Sequence, residues 1–437
     1  MIPRRIAIAM VAVSATLAVC WPSSSDAIPA FARKYSLACT ACHEAWPKLN
    51  DFGRAFKDNG YRLQTGVDEP TDQPAGYWPV SLRTTPGYSY STLSNQATDE
   101  GRRRIRTGGF ESPEGDLLAG GTLGPKASFL AIIAGFGEDG TAAFEAAFVR
   151  LNNLGGTSWL NLKLGKHEFD LPRSGHRSQT LTQGYLFYSH RPAGDANTLE
   201  FDLAENQVGV ELSGHDRGSR ARYAVSLVTA NGAPGSDSFL SSPVVYGHAT
   251  RRVETGSRLL RQLRVGGFGA IGWSPTRFAA DSTGALGAEV AGTGRDNKLH
   301  SRAGGELALW FGPLATPVAV TAVAARGSEV SELFADGKHD ATWHGGFLLA
   351  EATPRLDLAL FSRYDWVRNT RQALDDVAKD LGDEDAVTGG LRYTVSYSDR
   401  AEVAWHVEFT ARRTRRVAAD GLDLAAKTFF SGLDFAF

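Results

Sequence analysis

Near its amino end the chain carries Cys39-Thr40-Ala41-Cys42-His43, a CxxCH motif. Two thiols separated by two residues can form thioethers to the two vinyl groups of one porphyrin, while the histidine that follows reaches the iron from one side. The spacing therefore predicts one covalent haem c, with Cys39 and Cys42 as attachment residues and His43 as the proximal iron ligand. A zinc half-site is the competing use of paired cysteines. It needs further ligands nearby, and the only other cysteine is Cys20.

The elements around this motif must first be exported. Arg4 and Arg5 precede an apolar run from Ile6 to Val19, and Ser25-Asp26-Ala27 offers small residues for cleavage, so 1–27 reads as a signal peptide. Covalent haem attachment outside the cytoplasm agrees with export. A formal net charge of −2 gives no reason to expect nucleic-acid binding. No apolar stretch of about 18 residues follows the signal, which excludes a spanning helix and leaves a β-barrel open.

Residues 28–77 read as a small helical unit: Leu49, Phe52 and Phe56 recur at helical spacing between Glu44 and Asn59, and Asn59-Gly60 reads as a helix stop. A unit of about 50 residues cannot wrap a porphyrin and build a core of its own. From about residue 80 the pattern changes to period two. Val403, Trp405, Val407 and Phe409 alternate with Glu402, Ala404, His406, Glu408 and Thr410, and Leu160, Leu162 and Leu164 alternate with Asn161, Lys163 and His167. Sixteen such segments can be traced from 80–91 to 427–437. Tight turns such as Gly124-Pro125 and Gly155-Gly156-Thr157 alternate with long polar connectors at 92–114, 170–204, 273–299 and 370–385. Even strand number, alternating connector length and the terminal Phe437 predict an all-β fold: a sixteen-stranded antiparallel transmembrane β-barrel over 78–437, with the helical unit as a plug. A soluble sandwich has shorter strands, about five to six residues.

The only methionines, Met1 and Met10, lie in the signal peptide, so histidine is the expected second axial ligand. His176 lies in the turn-rich Leu171-Pro172-Arg173-Ser174-Gly175-His176-Arg177 of a connector long enough to fold into the lumen, and is the first candidate. His167, on the lumen phase of the preceding strand, is the second; His406 is also on a lumen phase, and a vacant position is the alternative. Asp375, Asp376, Asp380, Asp383, Glu384 and Asp385 crowd one outer loop and could concentrate cations, although an acidic run is more often a solvated loop. Arg102, Arg103, Arg104 and Arg106 form a basic cluster in the first outer connector, suited to lipopolysaccharide phosphates or to lining the lumen.

Ile28-Pro29-Ala30-Phe31-Ala32-Arg33, the CxxCH, and Leu49-Asn50-Asp51-Phe52-Gly53-Arg54-Ala55-Phe56-Lys57-Asp58-Asn59-Gly60-Tyr61 resemble the fused outer-membrane cytochrome–porins. These join a monohaem cytochrome to a sixteen-stranded barrel, and the type members are iron(II) oxidases. The resemblance implies an outer-membrane electron conduit. It would take electrons from an extracellular donor, Fe(II) in the type members, and pass them through the haem to a periplasmic carrier, a c-type cytochrome or cupredoxin. Lys34-Tyr35-Ser36 stands where the iron oxidisers carry Gln-Thr-Gly, so the resemblance reaches the architecture further than the substrate. Two other functions fit the same segments: a solute porin with a haem-bearing periplasmic stopper, and a porin-like subunit of a larger cytochrome conduit.

Overall fold

The computed structural model describes residues 30–63 and 79–436, except 36, 38, 46–47, 99–100, 136–142, 193–200, 230–242, 275–277, 281–285, 290–297, 313–315, 330–338, 372–381, 398–400 and 416–422. The expected signal peptide, Phe437 and the acidic residues Asp375, Asp376 and Asp380 lie outside the described residues.

The amino-terminal segment holds three short helices, α1 (Ala30–Tyr35), α2 (Cys39–Cys42) and α3 (Asp51–Asp58), and a small ribbon of β1 (His43–Ala45) and β2 (Lys48–Leu49). The chain then runs through β3 (Val80–Thr84), β4 (Gly87–Thr98), β5 (Gly101–Glu111), β6 (Gly115–Thr122), β7 (Ala127–Ala134), β8 (Ala143–Leu151), β9 (Asn161–His167), β10 (Gln207–His215), β11 (Ala221–Thr229), β12 (Pro243–Glu254) and β13 (Leu260–Ser274). A two-stranded excursion, β14 (Phe278–Ala280) with β15 (Leu286–Glu289), interrupts the series. It resumes with β16 (Lys298–Phe311), β17 (Val318–Glu329), β18 (Ala341–Arg355), β19 (Leu358–Arg371), β20 (Glu384–Tyr397), β21 (Glu402–Thr414) and β22 (Leu424–Ala436).

Antiparallel pairing closes the sheet into a barrel. Closure joins the last strand to the first, Phe435 opposite Thr84 and Ala436 opposite Arg83, while the other edge of β3 pairs with β6, Val80 opposite Ala119. The ring formed by β3, β6–β13 and β16–β22 has sixteen strands. A closed ring leaves no unpaired edge, which is the condition for crossing a bilayer with strands.

The period-two pattern sorts side chains as the sequence leads one to expect. Val208, Val210, Leu212, Val225, Leu227 and Leu307 are exposed on the outer wall. Glu211, Ser226, His248, Arg302, Glu306 and Glu408 are buried on the inner wall. An apolar outside and a polar inside invert the soluble arrangement and match a hydrocarbon environment. Inner-wall charges are paired: Arg302 with Glu329 at 2.8 Å, Arg363 with Asp365 at 2.5 Å, and Arg392 with both Glu402 at 2.6 Å and Asp434 at 3.1 Å. Arg83 also reaches Asp434, at 3.2 Å, so a shared carboxylate ties the first strand to the last across the seam.

The structure corrects two expectations. The segment expected as one strand at 80–91, followed by a polar connector at 92–114, is broken at Pro86. Beyond it the chain continues as the β4–β5 hairpin, with β4 pairing along β22 from Gly432 opposite Gly87 to Ala425 opposite Ser94. Proline has no N–H for the ladder and marks the break. Almost every residue of β5, including Arg103, Arg104 and Arg106, is exposed, so the strand has no buried face to produce an alternating sequence. The second correction is the helix expected across 44–59. Among the described residues of that stretch only Asp51–Asp58 is helical, because Asn50 caps it, its side chain accepting from the Gly53 N–H. Pro47, just upstream, is incompatible with a helix interior.

Candidate functional site

The amino-terminal segment lies in the lumen at the end where the short turns are. A cluster of four rings gives it a core: Phe31 stacks on Tyr61 at 4.5 Å, and Phe56 meets Phe31 edge-on at 5.6 Å and Tyr35 at 5.5 Å. The Tyr35 hydroxyl donates to the Tyr61 carbonyl at 2.9 Å. Around this core the segment is fastened to the wall. Arg150 of β8 donates to the carbonyls of Lys57 and Asp58, at 2.9 and 2.5 Å, satisfying acceptors at the end of α3. Arg222 of β11 pairs with Asp58 at 3.4 Å, Arg252 of β12 pairs with Asp51, and Arg62 donates to the Pro125 carbonyl in the β6–β7 turn. Burial works against ionisation of Asp58. Arg222 overcomes it, with smaller help from His215 and Lys57, and holds the carboxyl below the usual range. Gly60, at φ +72°, sits so close to Asn152 that a Cβ would fall 2.1 Å from its Oδ1. Only glycine allows that approach.

Within the segment, α3 positions the CxxCH turn. Asn50 donates from its backbone N–H to the Cys42 carbonyl and from Nδ2 to the Ala41 carbonyl, both at 2.9 Å. A Cβ on Gly53 would lie 2.1 Å from the Cys42 carbonyl oxygen, so glycine is what lets the helix press against the turn. The backbone of Cys39–Cys42 is one helical turn, Cys42 is partly buried, and burial pushes its thiol up to about 11.

The connector after β9 fills the lumen above this segment, as its length led one to expect. Phe169, Tyr185, Phe187, Tyr188 and Phe201 are buried against Tyr246, Phe268, Trp343 and Phe347 of the wall, which makes the middle of the barrel an aromatic core. Polar contacts carry the connector across the bore. Arg177 pairs with Asp116 of β6 at 3.1 Å and with Glu145 of β8 at 2.8 Å. On the opposite wall, the Leu181 and Thr182 N–H groups donate to Glu408 at 2.8 and 3.0 Å, and Arg363 donates to the Gln183 and Gly184 carbonyls. Glu351 of β18 joins the two insertions: Lys48 of the amino-terminal segment reaches it at 3.1 Å, and Arg173 of the connector binds its other oxygen.

Between segment and connector lies a cavity of about 340 Å³. His43 lines it, as do both predicted distal candidates, His167 and His176. Two further histidines, His215 and His248, which sequence reasoning did not single out, line it too. The His167 Nδ1 lies 3.0 Å from the Gly165 carbonyl, and the His215 Nδ1 lies 2.9 Å from the Asp216 carbonyl. A carbonyl partner makes Nδ1 the protonated nitrogen in each ring and leaves Nε2 with its lone pair. The Nε2 atoms of His167, His176 and His215 are buried and have no hydrogen-bond partner among the described residues. His248 is held between Asp170, 3.1 Å from Nδ1, and Glu306, 3.5 Å from Nε2. His406 does not belong to this set: it sits on β21 with Nε2 3.1 Å from Glu408, between the rings of Phe361 and Phe430.

These residues fit a haem. His43, next to the half-buried Cys42, lines the cavity, and orphaned imidazole nitrogens belong to residues that line it from the wall and the connector. Of the outer acidic cluster, the described carboxylates are already engaged: Asp383 accepts from the Asn369 N–H, Glu384 pairs with Arg412, and Asp385 pairs with Arg368 and Arg415.

The fold is that of outer-membrane porins. Among solved structures the chain is similar to the anion-selective porin from Comamonas acidovorans, with a TM-score of 0.53, 11% identity, and 82% of this chain and 98% of that one covered. It is similar in the same degree to the outer membrane channel DcaP of Acinetobacter baumannii, TM-score 0.53, 11% identity, with 86% and 99% covered. No protein-family model matches the sequence, and no curated protein does.

Proposed function

We propose that the protein is an outer-membrane electron conduit in which residues 28–77 form a monohaem cytochrome unit that plugs the barrel from the periplasmic side. Cys39 and Cys42 hold one haem c by thioethers, and His43 is its proximal ligand. When bound, the haem supplies a one-electron couple, between an extracellular donor, Fe(II) foremost, and a periplasmic c-type cytochrome or cupredoxin. The observation that carries this reading is the position of the CxxCH turn. Its last residue, His43, lines a cavity inside the lumen together with His167, His176, His215 and His248, below a connector that fills the bore. A hydrocarbon core of about 30 Å separates the two compartments, and a redox centre within the lumen shortens every transfer across it. The chain's own part is to hold the group through α2 and α3, to keep bulk water from it with the aromatic core, and to tune it through the axial histidine and the surrounding charges.

The reading is tested by stopped-flow spectroscopy of outer-membrane preparations. Reduction of the haem on addition of Fe(II) to intact cells is expected, and haem that only periplasmic reductants can reach sinks the conduit reading. For the distal position, His176 is proposed first and His167 second, both with buried Nε2 atoms on the cavity. A low-spin spectrum that turns high-spin in His176→Ala and not in His167→Ala identifies His176; the reverse result identifies His167. Unchanged spectra in both remove the pair.

A solute porin is the second reading, and the likeness of fold to porins favours it. Large, stable conductance of the intact protein in a planar bilayer would select it over the conduit.

A further inference from the structure

Among the described residues, Arg54 is a cation without an ion-pair partner. It lies on α3, one residue beyond the Gly53 that packs against Cys42, and it lines the cavity beside His43. Among the described residues its side chain makes one hydrogen bond, from Nη2 to the Leu49 carbonyl at a long 3.5 Å, and no ion pair. Asp51, which attracts it from further off, is engaged by Arg252 and by Gln262 at 3.4 Å. Two more arginines face the same cavity from the wall: Arg222 of β11, shared between Asp58 and Asp170, and Arg264 of β13, which pairs with Glu306 at 3.0 Å and has a buried Nε with no partner. Burial first, and then repulsion from Arg264 and Arg222, lowers Arg54 to about 9. The surroundings thus disfavour the charge that the residue carries at neutral pH, and a buried charge with no partner is strongly destabilising. The arrangement asks for an anion.

Resting on the haem reading above, we propose that Arg54, with Arg222 and Arg264 beside it, seats the propionate carboxylates of the tethered haem. The chemistry matches: a planar guanidinium presents paired N–H donors at carboxylate spacing. Location supplies the occupant, because His43, the proposed proximal ligand and the residue next to Cys42, lines the same cavity. A propionate thereby neutralises Arg54, and the arginines keep the propionates ionised.

The test is a potentiometric titration of the haem against pH in the full-length protein, for wild type, Arg54→Gln and Arg54→Lys, with attached haem measured on denaturing gels. Wild type is expected to show a midpoint that changes little across neutral pH. In Arg54→Gln the midpoint falls, because a cation that favours the reduced haem is gone. A propionate whose affinity for protons has risen now takes one up on reduction, so the midpoint also declines with rising pH. Arg54→Lys keeps the charge but not the fork, and lies between. Equal haem content with an identical midpoint at every pH in Arg54→Gln overturns the assignment, as does a midpoint that added chloride or acetate lowers in wild type and leaves unchanged in Arg54→Gln, which would mark the site as one for diffusible anions. If Arg54→Gln does not assemble, redox-difference infrared spectra of wild type decide: propionate bands like those of a water-exposed haem peptide also overturn it. Wild-type protein without covalent haem is a separate outcome, and fails the haem reading itself.

Discussion

Replacing both thiols, in a Cys39→Ala/Cys42→Ala protein, is expected to abolish haem staining on a denaturing gel while leaving a folded barrel. The loss should be essentially complete, because a covalent link either exists or does not and no methionine outside 1–27 offers the iron a substitute ligand. The barrel should survive because its ring is closed by β22, β3 and β6, none of which uses the CxxCH turn. Heat-modifiable migration reports the barrel and peroxidase staining reports the haem, so the two can be scored on one sample. Haem that persists through denaturation in the double variant would remove the basis for the functional reading. The same chemistry explains why α3 matters to a motif that it does not contain. Asn50 holds the Ala41 and Cys42 carbonyls, and Gly53 has no Cβ to push the turn away.

Glu351→Gln should unlock the lumen. This buried carboxylate binds Lys48 of the amino-terminal segment and Arg173 of the connector at once. Neutralising it leaves Arg173 without its carboxylate and Lys48 with Glu44 alone, 2.7 Å away, and breaking a buried pair by removing one partner costs about 3–5 kcal/mol. The cost falls on the docking of both insertions and leaves the ladder of β18 intact, since the Glu351 backbone pairs with Ala319 and Phe361 whatever its side chain. Two measurements should change together: single-channel conductance rises from a low value, and protease added from the periplasmic side cuts within 30–63. Unchanged conductance, with the segment still protected, would show that the aromatic core seals the bore without this link.

The two effects separate the functions weighed above. A conduit needs the lumen filled, because solvent around the haem weakens control of its potential. A solute porin needs it open. The buried Tyr185, Phe187, Tyr188, Phe347 and Trp343 span the middle of the bore and leave the 340 Å³ cavity on the short-turn side of them. That arrangement supports a conduit over a wide solute path.

Several features of this protein are properties of the sequence alone. The CxxCH needs only its spacing, and the sixteen-stranded ring needs only the alternation that places Leu160 and Leu164 outside and Asn161 and His167 inside. Such signals are local: the CxxCH is a run of five residues, and a strand's two faces are written in every second position. The β4–β5 hairpin leaves no alternating pattern in the sequence because β5 is exposed on both faces, and the helical spacing over 44–59 overstates α3 because Asn50 decides its start. Only the tertiary structure brought His43 to one cavity with His167, His176 and His215, set Arg54 against Arg222 and Arg264, and joined Lys48 to Arg173 through Glu351. Those partners lie tens to hundreds of residues apart, and closing the barrel makes them neighbours. No periodicity encodes which inner-wall residue will face a folded-in loop, since that depends on strand register around the whole ring and on where two insertions come to rest.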